Sequence, residues 1–368
     1  MATYLKPEML HVYRQTTNLQ RHVNWIVTRR RECEGRFPAQ NVISLRRHPL
    51  RWFHRVWYRS RGCRPPLDPA EKKQLAEVCA AKKARLIHIY FGTEAARCIP
   101  FLRGAKLPKV VSFHGADLSE KLTDDELDGI IENTDLFLCR SKSLAAELTA
   151  RGAEDFRIKL NYTGVPVPDV KRHGSATGPL RILQACRFLA KKGLDTTLRA
   201  VALMRDAGRD IRLTLAGDGE EKDQLEKLSA VLGIADITEF AGFLNQRELE
   251  QLYGEHDVFV HPSRTTITGD REGIPNSLLE AMAHGMPVVA TRHSGIPEAI
   301  THDKTGLLID HSEPDELAAA LTRLAGSPEH RERLGSSARQ EIMDRFSIAA
   351  CVRSLEDAYE EASGNFMP

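Results

Sequence analysis

Short apolar runs rich in β-branched residues recur along this chain, and most are followed by a longer stretch whose apolar residues repeat at helical spacing. The alternation is regular in the second half. Strands are predicted at Leu180 to Ala185, Arg212 to Ala216, Ile237 to Phe240 and Val258 to Val260. Helices are predicted between them at Asp195 to Asp206, Glu221 to Leu232 and Gln246 to Tyr253, then at Pro314 to Ala325, Pro328 to Asp344 and Ile348 to Ala362. The first half reads the same way with longer gaps. Its strands are predicted at Ala2 to Leu5, Val23 to Thr28, Leu86 to Tyr90, Lys109 to Phe113 and Asp135 to Cys139. Its helices are Pro7 to Leu19, Thr93 to Leu102 and one capped by Ser141 that ends at Gly152. Strands alternating with helices imply parallel sheets covered on both faces. A polar stretch rich in Gly and Pro, 164–179, separates the halves and reads as a linker, which predicts two α/β domains of about 1–168 and 169–345.

One stretch concentrates the chemistry. Residues 269–291 read as a loop, a helix, a turn and a buried strand. Gly273, Pro275 and Asn276 mark the helix start, Leu278, Leu279, Met282 and Ala283 form its apolar face, and Gly285 with Pro287 ends it. Glu272 precedes the helix and Glu280 lies on it, with seven residues between them. Between the two acids fall the free N–H groups of the first turn, a ready site for phosphate. An acid on either side of a phosphate site suits a sugar on one side and a ribose on the other, because a carboxylate accepts two hydroxyl hydrogen bonds well.

Composition narrows the classes. The chain has 368 residues, 42% hydrophobic and 28% charged, as expected of a globular protein of about two domains. A net charge of +2 implies no global polyanion partner. The 7 cysteines are scattered, odd in number and form no Cys-x-x-Cys pair, which argues for reduced thiols in a cytosol and against a disulfide framework or a zinc site. Cys139 and Cys186 fall in apolar runs and are expected in the core. No run of about 20 apolar residues is present, so no membrane span is expected. Gly217-Asp218-Gly219 lacks the third glycine of a dinucleotide fingerprint, since position 222 is Lys222.

Residues 46–64 are basic and aromatic. Arg46, Arg47, Arg51, Arg55, Arg59, Arg61 and Arg64 alternate with Trp52, Phe53, Trp57 and Tyr58. From Pro49 a helix would place Trp52, Phe53, Val56 and Trp57 on one face and Arg51, Arg55 and Arg59 on another. Two readings stand: a helix docked on its own domain with a solvated basic face, or an interfacial helix against an anionic membrane or an acceptor phosphate. No recognition motif accompanies the charge, so nucleic acid is not expected as a partner.

The two acids and their surroundings resemble the Glu-x7-Glu motif of the retaining glycosyltransferases of family 4. Asp257-Val258-Phe259-Val260-His261-Pro262-Ser263 and Ser294-Gly295-Ile296-Pro297-Glu298 extend the match, which is most similar to the colanic-acid and exopolysaccharide branch. The resemblance implies a GT-B fold: two doubly wound Rossmann-like domains facing across a cleft, with 346–368 returning to the first. The first would be the acceptor side and the second the nucleotide-sugar side. It implies transfer of a sugar from a nucleotide-diphosphate sugar to a glycan or polyprenyl-linked acceptor, with no cofactor and no metal, in keeping with the absence of any Asp-x-Asp sequence. Glu280 would bind the ribose, and the backbone of Gly273, Ile274, Pro275, Asn276 and Ser277 the distal phosphate. The loop 186–193 resembles the family's diphosphate loop, with Cys186 where Gly is usual, so Arg187 and Lys192 would face the leaving diphosphate. Glu272 and His114 would flank the donor sugar, and Gly242, Phe243 and Leu244 would receive the base. The chain departs from the family at its first loop, where Lys6-Pro7-Glu8 carries no glycine. A GT-B nucleotide-sugar epimerase and a non-catalytic nucleotide-sugar-binding protein are the alternatives. The expected location is cytoplasmic, peripheral on the inner face of the plasma membrane if the basic helix is interfacial.

Overall fold

The structure is a computed structural model. It describes residues 3–4, 6, 9–35, 37–46, 51–114, 118, 122–169, 178–267, 269 and 273–364. The chain divides into two compact units, Met1–Gly164 with Ile348–Pro368, and Val165–Ser347. They are called unit 1 and unit 2.

Unit 1 carries β1 (Thr3–Tyr4), β2 (Ile26–Thr28), β3 (Arg30–Arg31), β4 (Val42–Ser44), β5 (Ile87–Tyr90), β6 (Lys109–Phe113), β7 (Leu136–Cys139) and β8 (Ile158–Leu160). β5, β6, β7 and β8 pair in that order as a parallel sheet, while β1 with β3 and β2 with β4 form separate two-stranded pairs. Side chains alternate between the faces of the larger sheet. Val110, Leu136 and Leu138 meet Leu355, Ala358 and Tyr359 of the helix Ile348–Gly364. Val111, Phe113 and Phe137 face Leu127, Ile130 and Leu144 on the other side. Both faces are therefore covered, which is why these strands read as unbroken apolar runs.

Unit 2 carries β9 (Leu180–Ala185), β10 (Ile211–Ala216), β11 (Thr238–Gly242), β12 (Val258–His261), β13 (Val288–Thr291) and β14 (Leu307–Ile309). They form one parallel sheet in the order β11-β10-β9-β12-β13-β14. This is a doubly wound order, and it reverses between β9 and β12. Leu180, Ile182, Leu213, Leu215, Val258 and Val260 centre its core, with Leu198, Leu317 and Leu321 from the covering helices.

Several expectations shift. Helices Pro69–Ala81 and Asp124–Glu132 do not stand out by apolar periodicity, yet each opens with a full capping box, Asp68 with Glu71 and Thr123 with Glu126. The helix Pro328–Glu341 runs into a π-helical turn, Ile342–Phe346, instead of continuing regularly. Cys139 is core, but Cys186 is only half-buried because it follows β9. The reading of 46–64 as a helix docked through its aromatic stripe is corrected. In the helix Arg51–Arg59, Trp52 and Phe53 are each 64% exposed and Trp57 50%, while His54, Arg55 and Tyr58 are half-buried. Among the described residues no helix is long and apolar enough to cross a membrane.

Candidate functional site

The reversal in unit 2 puts the carboxyl ends of β9 and β12 side by side, with the chain leaving each in a different direction. In such sheets the space beyond these two ends binds ligands. Three loops meet there. After β9 the chain turns through a short 3₁₀ segment, Ala190–Lys192, to Gly193, whose φ is +66°. A Cβ on Gly193 would lie 2.1 Å from the Pro262 carbonyl oxygen, so glycine alone lets this loop lie against the one after β12. The Arg264 amide donates to the Lys191 carbonyl at 3.0 Å, and the Arg264 guanidinium pairs with Asp195 at 2.8 Å, closing the same seam. The third is the turn after β13, which lies against the end of the β12 loop. A Cβ at Gly295 would be 2.9 Å from Ile274 Cγ1.

Four of the predicted groups come to this end of the sheet. Glu280 stands on the helix Asn276–Ala283, is 7% exposed, and lies beside the fully buried Tyr253. The Tyr253 hydroxyl donates to the Ser277 carbonyl at 3.3 Å; its pKa is pushed well up, first by burial and then by the Glu280 charge. At the far end of the helix His284 Nδ1 donates to the Glu280 carbonyl at 2.8 Å. The helix begins after Pro275 with no side-chain cap, Asn276 is exposed, and its first-turn amides follow Gly273 and Ile274. Lys192 is half-buried and Arg187 exposed, both on the β9 loop. Gly242 closes β11 at the same end of the sheet with φ +70°, and Phe243 is 82% exposed, with Leu244 half-buried. Glu272 lies outside the described residues.

Sequence reasoning did not single out His261. It ends β12 at 0% exposure and stacks on Phe259. It is kept neutral first by burial and then by the positive charge of Lys192 and by His293. Its signal was present in the His261-Pro262-Ser263 stretch, whose apolar lead-in makes any histidine there a buried one. Tyr253, under Glu280, had only helical spacing to mark it.

His114 belongs to unit 1, directly after β6. Its Nδ1 lies 3.2 Å from His11 Nε2 and its ring centroid 4.4 Å from that of Phe91. Burial, then the Arg140 charge, hold it well below the usual histidine range. A cavity of about 980 Å³ in unit 1 is lined by Trp25, Val78, Lys82, Leu86, Ile87 and Tyr90 among others, and by none of the predicted site residues. No cluster of three or more His, Cys, Asp or Glu side chains able to hold a metal ion occurs among the described residues.

The second unit presents a carboxylate, a helix N-terminus with no side-chain cap and a basic loop at one switch point, where doubly wound sheets bind their ligands and helix N-termini favour anions. A family model described as "Glycosyl transferases group 1" matches residues 168–341. The chain is 30% identical over 320 residues to the amylovoran biosynthesis glycosyltransferase AmsK of Erwinia amylovora, covering 84% of this chain and 77% of that one. It is 32% identical over 250 residues to the putative colanic acid biosynthesis glycosyltransferase WcaL of Salmonella typhimurium, covering 66% of this chain and 62% of that one, less than two thirds of its length. Among solved structures, that of Anabaena Alr3699/HepE in complex with UDP superposes with a TM-score of 0.77 at 17% identity, covering 98% of this chain and 100% of that one. At that identity the likeness bears on the fold, which is of the GT-B type. The chain belongs to the glycosyl transferases group 1 family and is a glycosyltransferase.

Proposed function

We propose that this chain is a retaining glycosyltransferase that moves a hexose from a nucleotide-diphosphate sugar to a glycan or lipid-linked glycan acceptor in exopolysaccharide biosynthesis, with no metal or organic cofactor. The observation that carries the reading is the β9/β12 switch point. There the buried carboxylate of Glu280 stands on a helix with an uncapped N-terminus, in the same unit and at the same sheet end as the Arg187 and Lys192 loop. That set fits a ribosyl diphosphate. Glu280 accepts from two ribose hydroxyls, the amides of 273–277 take the distal phosphate, and the two cations meet the charge that grows on the leaving group. Gly242, Phe243 and Leu244 take the base, and Glu272 and His114 keep the donor-sugar roles that the family resemblance gives them. The names of the relatives, and the UDP held by the Anabaena protein, support the same reading.

In the proposed step the bond from the anomeric carbon to the diphosphate breaks, and a bond to the acceptor oxygen forms on the same face. The acceptor hydroxyl proton passes to the departing phosphate, and a nucleoside diphosphate leaves. A donor screen tests this: the protein is mixed with each common nucleotide sugar in the presence of a chelator, and slow hydrolysis is followed with the anomer released. Release of the retained anomer from one donor, at a rate indifferent to the chelator, is expected. The inverted anomer, isomerised donor or a strict need for magnesium or manganese overturns it.

The outward aromatic face of the helix Arg51–Arg59 is assigned to an anionic membrane surface. Residues 46–64 contain seven arginines and no acid, and Trp52, Phe53 and Trp57 face solvent. Rings at the acyl boundary with arginines at anionic headgroups give weak, salt-sensitive binding, about 1 kcal/mol per arginine near the surface. Co-sedimentation with anionic vesicles at low salt, lost at high salt and with neutral lipid, is expected; recovery in the supernatant under every condition removes this assignment.

A further inference from the structure

Unit 1 holds a half-buried cation with no acid beside it among the described residues. Arg140 is the residue directly after β7, and most of its side chain is out of water. Its Nη1 donates to Thr163 Oγ1 and its Nη2 to Gln15 Oε1 at 3.1 Å. Both acceptors are neutral, and together they use two of the five N–H groups a guanidinium carries. Gln15 is itself held in place, because its Nε2 donates to Asn161 Oδ1 at 2.8 Å and Asn161 Nδ2 donates to the Cys351 carbonyl at 2.9 Å. No carboxylate pairs with Arg140 among the described residues. The groups whose charge acts on it most are Tyr90 and Cys351, whose own pKa values burial raises to about 12. Burial lowers Arg140 itself to about 10, so it stays charged at neutral pH.

Among the described residues the neighbours of Arg140 are basic or neutral. His88 on β5 bonds Tyr359 through Nδ1 at 2.6 Å, and His114 after β6 pairs with His11. His11 and Gln15 lie one turn apart on the helix Leu10–Thr17 and so share a face. The carboxyl ends of β5, β6 and β7, the stretch after β8 and one face of that helix thus bring Tyr90, His114, Arg140, Thr163 and Gln15 to one place. Buried charges are ordinarily paired, and an unpaired one persists where a ligand completes it. The ends of parallel strands are where such ligands gather.

We propose that Arg140, oriented by Gln15 and Thr163 beside the His11–His114 pair, is the binding residue of an oxyanion site in unit 1 that takes a phosphate or carboxylate group of the acceptor. This deepens the functional reading above, in which unit 1 is the acceptor side. The planar guanidinium fork matches a phosphate or carboxylate in a bidentate pair. The acceptor is then an anionic sugar derivative, either a soluble phosphate or carboxylate ester or the head of a lipid-linked diphosphate.

The test uses the full-length protein without donor. Inorganic phosphate, pyrophosphate, succinate and a short-chain prenyl diphosphate are titrated by calorimetry into the wild type, Arg140→Gln and Arg140→Lys. The expected result is saturable binding of at least one probe, weakened tenfold or more in Arg140→Gln and less in Arg140→Lys. A prenyl diphosphate that binds more tightly than pyrophosphate assigns the site to a lipid head; equal binding assigns it to a soluble ester, and either upholds the site. No binding of any probe to the wild type overturns the proposal, as does undiminished binding to a folded Arg140→Gln. If Arg140→Gln does not fold, the ring signals of His11 and His114 are followed by NMR in the wild type. They shift with the anion if the site is real, and an anion that binds without moving them sits elsewhere and overturns it. Donor turnover plays no part in these readouts, so failure of the glycosyl-transfer reading and failure of this site are told apart.

Discussion

The two units are built from the same strand–helix alternation and use it differently. Unit 2 closes six strands into one sheet around a largely aliphatic cluster, with His261 and Thr291 buried at the carboxyl ends of its strands and the Arg181–Asp257 pair at the opposite end. Unit 1 splits its strands among three sheets and carries polar groups through its middle: Arg29 with Glu71, His88 with Tyr359, and Gln15 with Asn161 and Arg140. An aliphatic interior leaves a unit's chemistry to one edge and makes that edge rigid. A polar interior ties stability and binding to the same hydrogen bonds. Substitutions at the carboxyl ends of the unit 2 strands should therefore change ligand affinity first, whereas breaking the Arg29–Glu71 pair of unit 1 should change the fold first.

The largest expected effect is on the unit 2 side. If Glu280 holds the ribose as proposed, Glu280→Ala removes two charge-assisted hydrogen bonds, about 1.5–3 kcal/mol each. Donor affinity should fall on the order of a hundredfold or more in a variant that still folds. Affinity that survives the substitution, measured by donor titration, breaks the comparison at its stronger end.

Next comes the bidentate pair inside unit 1. Arg29 Nε and Nη2 meet the Glu71 carboxylate at 2.5 and 2.6 Å, and both side chains are nearly inaccessible. Arg29→Met leaves a buried carboxylate without its cation and should cost about 3–5 kcal/mol of stability. Arg29→Met with Glu71→Leu should recover much of that loss, since an apolar pair of similar size is often no worse. Denaturant unfolding of the single and double variants decides it, and equal stabilities of wild type and single variant count against the polar-interior account.

Acid sensitivity is the smallest effect. His88 is held down to about 3 in the folded chain by burial and then by Arg140, against about 6.5 when unfolded. Below pH 6.5 the unfolded chain therefore binds a proton that the native chain does not. Stability falls as the pH drops, by about 1.4 kcal/mol per pH unit for such a group, or about 2 kcal/mol between pH 6.5 and 5. His261 acts in the same direction in unit 2. Hydrogen exchange at the β5 and β6 amides should show the acid loss, and His88→Gln should reduce it; an identical loss in the variant means that His88 is not the neutral group.

Legibility followed strand length and burial more than the unit: Lys109 to Phe113 in unit 1 agrees residue for residue, and the three-residue Leu307–Ile309 in unit 2 has no predicted counterpart. In unit 2, apolar runs such as Leu180 to Ala185 and Val258 to Val260 agree with the strands to within a residue, because a strand buried on both faces leaves no polar alternation to confuse its ends. In unit 1 the strands Arg30–Arg31, Val42–Ser44 and Ile158–Leu160 are short and half-buried, and nothing in their local pattern sets them apart from loop. The helices Pro69–Ala81 and Asp124–Glu132 were announced by their caps alone.

By itself the sequence determined the local things: the alternation that makes an α/β chain, the glycine and proline stops around the helix Asn276–Ala283, and the pair of acids whose spacing resembles a glycosyltransferase motif. Those depend on propensity, capping and period, which act over a few residues. Tertiary structure decided what depends on distant neighbours. It put Gly193 against Pro262, Tyr253 beside Glu280, and Arg140 within reach of Gln15 but of no described acid. It also turned the aromatic face of the helix Arg51–Arg59 outward, where amphipathic spacing alone left two faces open. Which groups share a buried space depends on which strands pair and in what order, and strand order is a property of the whole sheet that no single segment encodes.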